Sequence, residues 1–208
     1  MKKVYLDNAS TTAMRPEVIQ VMVDCMAQDY GNPSSTHSLG RHAKSILELS
    51  RKSIAKALNA TAQEILFTSG GTEANNWILR SAVKDLKVRR IISSKMEHHA
   101  VLYPILELQK EFDIQVEYVE NSADGVLDLT HLVDLLSESS EKTLVSLMHV
   151  NNETGVVLDL ERVSQICQEH HALFHSDTVQ SVGKAILDLQ KVPIDFIVSS
   201  AHKFHGPK

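Results

Sequence analysis

The stretch Ile194-Asp195-Phe196-Ile197-Val198-Ser199-Ser200-Ala201-His202-Lys203-Phe204-His205-Gly206-Pro207-Lys208 joins an apolar run to a polar one. Residues 194–198 read as a short buried strand. A strand that runs out into small polar residues and a lysine is the pattern of an α/β sheet, which delivers side chains into a crevice at the carboxyl ends of its strands. Working back along the chain, the same alternation recurs. Strands are read at 64–68, 90–94, 115–119, 143–150 and 172–176, and helices between them at about 73–86, 100–112, 129–137 and 160–170. This order predicts a mostly parallel sheet with helices on both faces, joined by right-handed crossovers. Before it, a polar arm at 4–12 leads into helices at about 16–29 and 38–58, separated by the breaker Gly31-Asn32-Pro33. Residues 1–60 are therefore read as an arm and helices packing on the main domain, and residues 61–208 as the α/β domain.

The 208 residues are 43% hydrophobic and 23% charged, which suits one sizeable core or two small ones. The formal net charge is -5 and no basic block occurs, so direct nucleic-acid binding, which depends on clustered cations, is not expected. No apolar run approaches the roughly 18 residues of a membrane-spanning helix, and Lys2-Lys3 do not open a signal peptide. A soluble, cytoplasmic protein with no membrane partner is the expectation. The two cysteines have no metal-type spacing, and neither a disulfide framework nor a metal site is expected. Cys25 shares a helical stripe with Val18, Val21, Met22 and Met26, while Cys167 continues Val163 and Ile166, so both read as core packing.

Residues that carry chemistry gather at the predicted strand ends. Ser69-Gly70-Gly71-Thr72 enters a helix: the glycines let the backbone approach an anion, Thr72 can cap, and the helix amides favour phosphate. The Gly-Lys-Ser/Thr ending of a nucleotide P-loop is missing, which disfavours a nucleotide-binding module. His98, in Glu97-His98-His99-Ala100, can stack on an aromatic cofactor and move protons. Asn151-Asn152-Glu153-Thr154-Gly155 offers amide donors and acceptors. Asp177 follows the fifth strand, where a carboxylate can keep a pyridine nitrogen protonated, with Gln180 placed to reach the phenolic oxygen of such a ring. Burial disfavours the charged form of an amine and a neutral amine attacks an aldehyde, which makes Lys203 the candidate for a Schiff base. Singly, each has an ordinary reading as a turn, a cap or a surface lysine. Together they supply a phosphate cradle, a ring stack, a pyridine partner and an amine, the set that pyridoxal 5'-phosphate requires.

The ordered segments VYLDNASTT from Val4, GNPSSTH from Gly31, FTSGGTEANN from Phe67, EHHAV from Glu97, MHVNNETGV from Met148, HSDTVQSVGK from His175 and SAHKFHGPK from Ser200 span essentially the whole chain. They resemble the cysteine desulfurases of the class V aminotransferase family, whose fold is that of aspartate aminotransferase. The resemblance implies that Lys203 binds the cofactor aldehyde, His98 stacks on the ring, Asp177 pairs with its nitrogen, and Asn152 and Gln180 bind near its phenolic oxygen. It further implies that Gly71, Thr72, Ser200 and His202 hold the phosphate. His98 matches the family position and His99 does not. By the same resemblance Lys203, with His98, moves a proton from the Cα of L-cysteine, and the sulfur passes to a mobile cysteine as a persulfide bound for iron-sulfur clusters or thiolated RNA. A homodimer and a sulfur-acceptor protein, such as an iron-sulfur scaffold or a tRNA thiolation enzyme, are the implied partners.

Neither Cys25 nor Cys167 matches the sulfur-accepting position. That cysteine, the arginine for the substrate carboxylate and a carboxyl-terminal domain lie beyond residue 208 in the family pattern. The expectation is an amino-terminal portion with a gap in its sheet, less stable than the complete enzyme and inactive alone. A selenocysteine lyase shares these motifs, and a remnant that only binds the cofactor or dimerises is the non-enzymatic alternative.

Overall fold

In the computed structural model, which describes residues 3–208, a five-stranded parallel sheet forms among the described residues. Its strands are β1 (Arg90–Ser93), β2 (Gln115–Tyr118), β3 (Thr143–Ser146), β4 (Leu173–Asp177) and β5 (Phe196–Val198), in the spatial order β2-β1-β3-β4-β5. The helices are α1 (Pro16–Gln28), α2 (Ser38–Leu58), α3 (Gly71–Lys84), α4 (His99–Phe112), α5 (Leu129–Ser137) and α6 (Leu160–Glu169). Two units divide the chain. One holds residues up to Phe67 with Leu187–Gln190 and Ala201–Lys208; the other holds Thr68–Ile186 and Lys191–Ser200 and contains the sheet.

Every position of β1 and β3 is buried, and since side chains alternate across a strand, both sheet faces are covered. Ile91 stands beside Leu144 in the ladder and packs with Leu79, Ala82 and Val83 of α3 and Val101, Ile105 and Leu108 of α4. The opposite face carries Ile92, Val145 and Phe174, each 0 or 1% exposed. Helix α6 packs against β4 and buries the stripe Leu160, Val163, Ile166 and Cys167. Burial pushes the Cys167 thiol up to about 12, which makes it a packing group, as its stripe predicts. Helix starts are locally encoded: Asp128 accepts the Thr130 and His131 amides and Asp159 accepts the Arg162 amide, caps worth about 1 kcal/mol each.

Three expectations need correction. The strand read at 64–68 is not in the sheet; the Glu64 carboxylate takes the Thr61 N–H and O–H to close a one-turn 3-10 helix (Ala62–Glu64). Ile65 is extended, but a strand exists only through a neighbour's ladder, and its carbonyl accepts from the Arg51 guanidinium. Leu66 and Phe67 are correspondingly exposed. Secondly, α1 buries none of its residues and Cys25 is exposed, so the stripe around Cys25 is an apolar surface rather than core. Thirdly, α3 begins at Gly71 with Gly70 as N-cap, which puts Thr72 inside the first turn and exposed instead of capping.

Candidate functional site

Within the sheet unit the chain leaves each strand by a polar turn, and most of the residues singled out above lie there. Asp177 closes β4 and stands in register with Val198 of β5. It is 5% exposed; Oδ2 accepts from Asn75 Nδ2 at 2.9 Å and Oδ1 from the Val179 N–H at 3.0 Å. The residues directly after it form turns and no helix, so Asp177 is a carboxylate held by two donors in a dry place, not a helix cap. Asn75 was legible as an anomaly: it is the polar member of the buried α3 stripe Asn75, Leu79, Ala82, Val83.

Gly71 lets the start of α3 approach the ends of the last two strands. A Cβ there would come within 3.1 Å of Val179 Cγ2, 3.7 Å of Val198 Cγ1 and 3.9 Å of Ser200 Cβ. This brings Gly71 and Ser200 together beside helix amides that have no acceptor within the helix, a setting suited to an anion. The Ser69 N–H turns to Glu73 Oε2 at 2.5 Å, a bond that lowers the Glu73 pKa.

His98 caps α4, its Nδ1 accepting the Ala100 N–H at 3.1 Å, which leaves Nε2 to carry the proton of the neutral ring. Its ring lies 4.0 Å from that of His99. Asn152 is half-buried in the turn after β3, donating to Glu153 Oε1 at 2.6 Å. Gln180 Oε1 accepts from Lys184 Nζ at 3.1 Å.

Three further buried polar groups stand at these strand ends. Glu97 is 6% exposed and accepts the Met148 N–H on Oε1 at 2.7 Å. Burial drives its carboxyl well above the usual carboxylate range; the Met148 bond opposes this and the Asp177 charge adds to it. His175, with Nδ1 against Ser146 Oγ at 2.9 Å, is pushed down to about 3 by burial and stays neutral. Asn151 Oδ1 accepts the Glu153 and Thr154 amides, both at 2.9 Å. Sequence reasoning gave Glu97, Asn151 and Asn75 no role of their own; the first two are marked by burial and a distant partner.

His202 and Lys203 belong to the other unit, in a one-turn 3-10 helix (Ala201–Lys203). Lys203 Nζ donates to the carbonyls of Ala9 at 2.5 Å and Ser10 at 2.9 Å. The His202 carbonyl takes both the N–H and O–H of Thr12, at 2.9 and 2.8 Å, and His202 Nδ1 lies 3.1 Å from Thr11 Oγ1. Thr12 Oγ1 accepts the His205 N–H at 2.7 Å. The polar arm thus lies over the lysine turn, tied by its own backbone. Burial, then the charges of Lys203 and Lys208, lower the His202 pKa, which favours a neutral imidazole.

Compared with known proteins, residues 4–208 match the sequence profile of the family described as Aminotransferase class-V. The chain belongs to the aminotransferase class-V family. This class-V chain is 40% identical over 209 residues to the cysteine desulfurase IscS of Dictyoglomus turgidum, with 100% of the chain and 52% of the relative covered. It is 42% identical over 210 residues to a cysteine desulfurase of Cereibacter sphaeroides, covering 100% of the chain and 54% of the relative. A solved NifS-like protein superposes with a TM-score of 0.94 at 38% identity, over 100% of the chain and 57% of that structure. The chain spans about half the length of the curated relatives it matches.

Proposed function

We propose that this chain supplies the pyridoxal-phosphate site of a cysteine desulfurase, which converts L-cysteine to L-alanine and leaves the sulfur on a protein thiol as a persulfide. The substrate C–S bond breaks, an S–S bond forms, and the hydrogen given up by the acceptor thiol ends on the carbon that becomes the alanine methyl. The observation that carries the reading is the buried Asp177 carboxylate, held by Asn75 and the Val179 amide at the carboxyl end of β4. The donor set fits the cofactor: a dry carboxylate for an aromatic nitrogen and a glycine-opened helix start for a phosphate. The names of the class-V relatives support cysteine as substrate.

When bound, the pyridoxal ring supplies an electron sink. Asp177 holds the proton on the ring nitrogen, and Asn75 keeps that carboxylate in place. Asn152 and Gln180 bind the phenolic oxygen, His98 stacks on the ring, and Gly71, Thr72, Ser200 and His202 hold the phosphate. Lys203 would hold the aldehyde end of the cofactor through Nζ and would move the proton from the substrate Cα, with His98 beside it. Cys167, buried and far too weakly acidic, does not take the sulfur. A homodimer in the cytoplasm, handing sulfur to an iron-sulfur scaffold or a tRNA thiolation enzyme, is the setting that belongs to this reading.

The test is near-visible absorption of the protein mixed with pyridoxal phosphate, then borohydride reduction and peptide mapping. Label fixed on Lys203 is the expected result. A folded protein that takes up no label overturns the cofactor reading.

A further inference from the structure

The sheet order places a reversal between β1 and β3. From β1 the chain crosses through α4 to β2 on one side, and from β3 through α6 to β4 on the other, so the turns that leave these two adjacent strands diverge. A crevice opens at such a switch point, and the ladder does not bridge it. Here side chains do. Glu97, in the turn after β1, accepts the Met148 N–H beyond the end of β3 at 2.7 Å. Asn151, in the loop after β3, returns a bond from Nδ2 to the Met96 carbonyl at 2.9 Å while its Oδ1 holds the Glu153 and Thr154 amides. Both residues are buried, at 6% and 8% exposure, and each immediately precedes a half-buried residue assigned to the ring, His98 or Asn152.

Building on the pyridoxal-phosphate reading, we propose that Glu97 is a positioning residue of the cofactor site, clasping the turn that presents His98 to the strand exit that presents Asn152. Its shape matters more than its charge. Among the described residues Oε2 lacks a hydrogen-bond partner, and burial together with the Asp177 charge raises the Glu97 pKa, which favours the neutral acid. A side chain that reaches Met148 with an acceptor oxygen, charged or not, performs the function; one that is shorter leaves the Met148 amide buried and unpaired.

The experiment compares E97Q, E97D and E97A with the wild-type chain. It measures pyridoxal-phosphate affinity by absorption titration, the visible circular dichroism of the bound cofactor, and hydrogen exchange at the Met148 amide without cofactor. E97Q keeps wild-type affinity, the dichroic band and a protected Met148 amide. E97D, one methylene short, and E97A bind about tenfold more weakly. In both the dichroic band is lost and Met148 exchanges faster, while the amides of β1 and β3 stay protected. Loss in E97Q equal to that in E97D, or wild-type behaviour of both E97D and E97A, overturns the proposal. Should E97A fail to fold, the contrast between E97Q and E97D decides it. Failure of the wild-type chain to bind the cofactor overturns the parent reading instead, and this role with it.

Discussion

Glu97 and His175 are two buried titratable side chains at the strand ends whose protonation pulls stability in opposite directions. The Glu97 pKa is raised on folding, so its contribution is complete below the unfolded value of about 4.5 and is lost as pH rises through the folded value. The His175 pKa is lowered from 6.5 to about 3, so its contribution is complete above pH 6.5 and drains away as pH falls toward 3. Between those limits a falling pH strengthens one and weakens the other. In E97Q only the weakening remains. Relative to E97Q, the wild type should gain about 1.4 kcal/mol per pH unit on acidification from below the folded Glu97 pKa to about pH 4.5. Urea unfolding of the pair at several pH values measures this, and a pH-independent difference would mean that Glu97 is ionised in the folded protein. Lys203, Asp177 and His98 could be singled out from sequence because their residue types stand out at strand ends. Glu97 and Asn151 could not, since what marks them is burial and a partner about fifty residues away, and neither is a local property.

Among the elements, β1 carries an unusual burden. Arg90 is 1% exposed, its Nε bonded to Glu117 of β2, while both terminal guanidinium nitrogens are buried without a hydrogen-bond partner among the described residues. Removing one member of such a pair leaves a charge stranded in a dry place. Glu117→Ala should therefore cost about 3 kcal/mol, read as a lower urea midpoint, whereas an exposed pair such as Arg80 with Glu107 should cost under about 1 kcal/mol. Equal losses would show that water reaches Arg90. Helices α2 and α5 match their sequence-predicted limits because apolar period, caps and breakers act within a few residues. Helix α1 also lies where expected, but the strand expected at 64–68 and the core packing expected of Cys25 fail for a shared reason. Periodicity reports which face of an element is apolar, and pairing or covering that face is decided by chain segments far away.

For the molecule as a whole, strand alternation made a parallel α/β sheet legible, but not the order β2-β1-β3-β4-β5 or the reversal between β1 and β3. Those depend on which crossover turns which way, and both handed choices of neighbour carry the same local pattern. The sheet has a kinetic consequence. With every ladder parallel, no pair of strands can zip from a hairpin; each must wait for an intervening segment to collapse before its first rung forms. Refolding from urea should then take milliseconds to seconds, slower than a helical protein of this length, as stopped-flow fluorescence of Trp77 can record. During that wait the nascent strands stand open to other chains, so the recovered yield should fall as protein concentration rises: the one-way sheet whose strand ends carry Asp177 and the Glu97–Met148 bond also sets a race between folding and clumping.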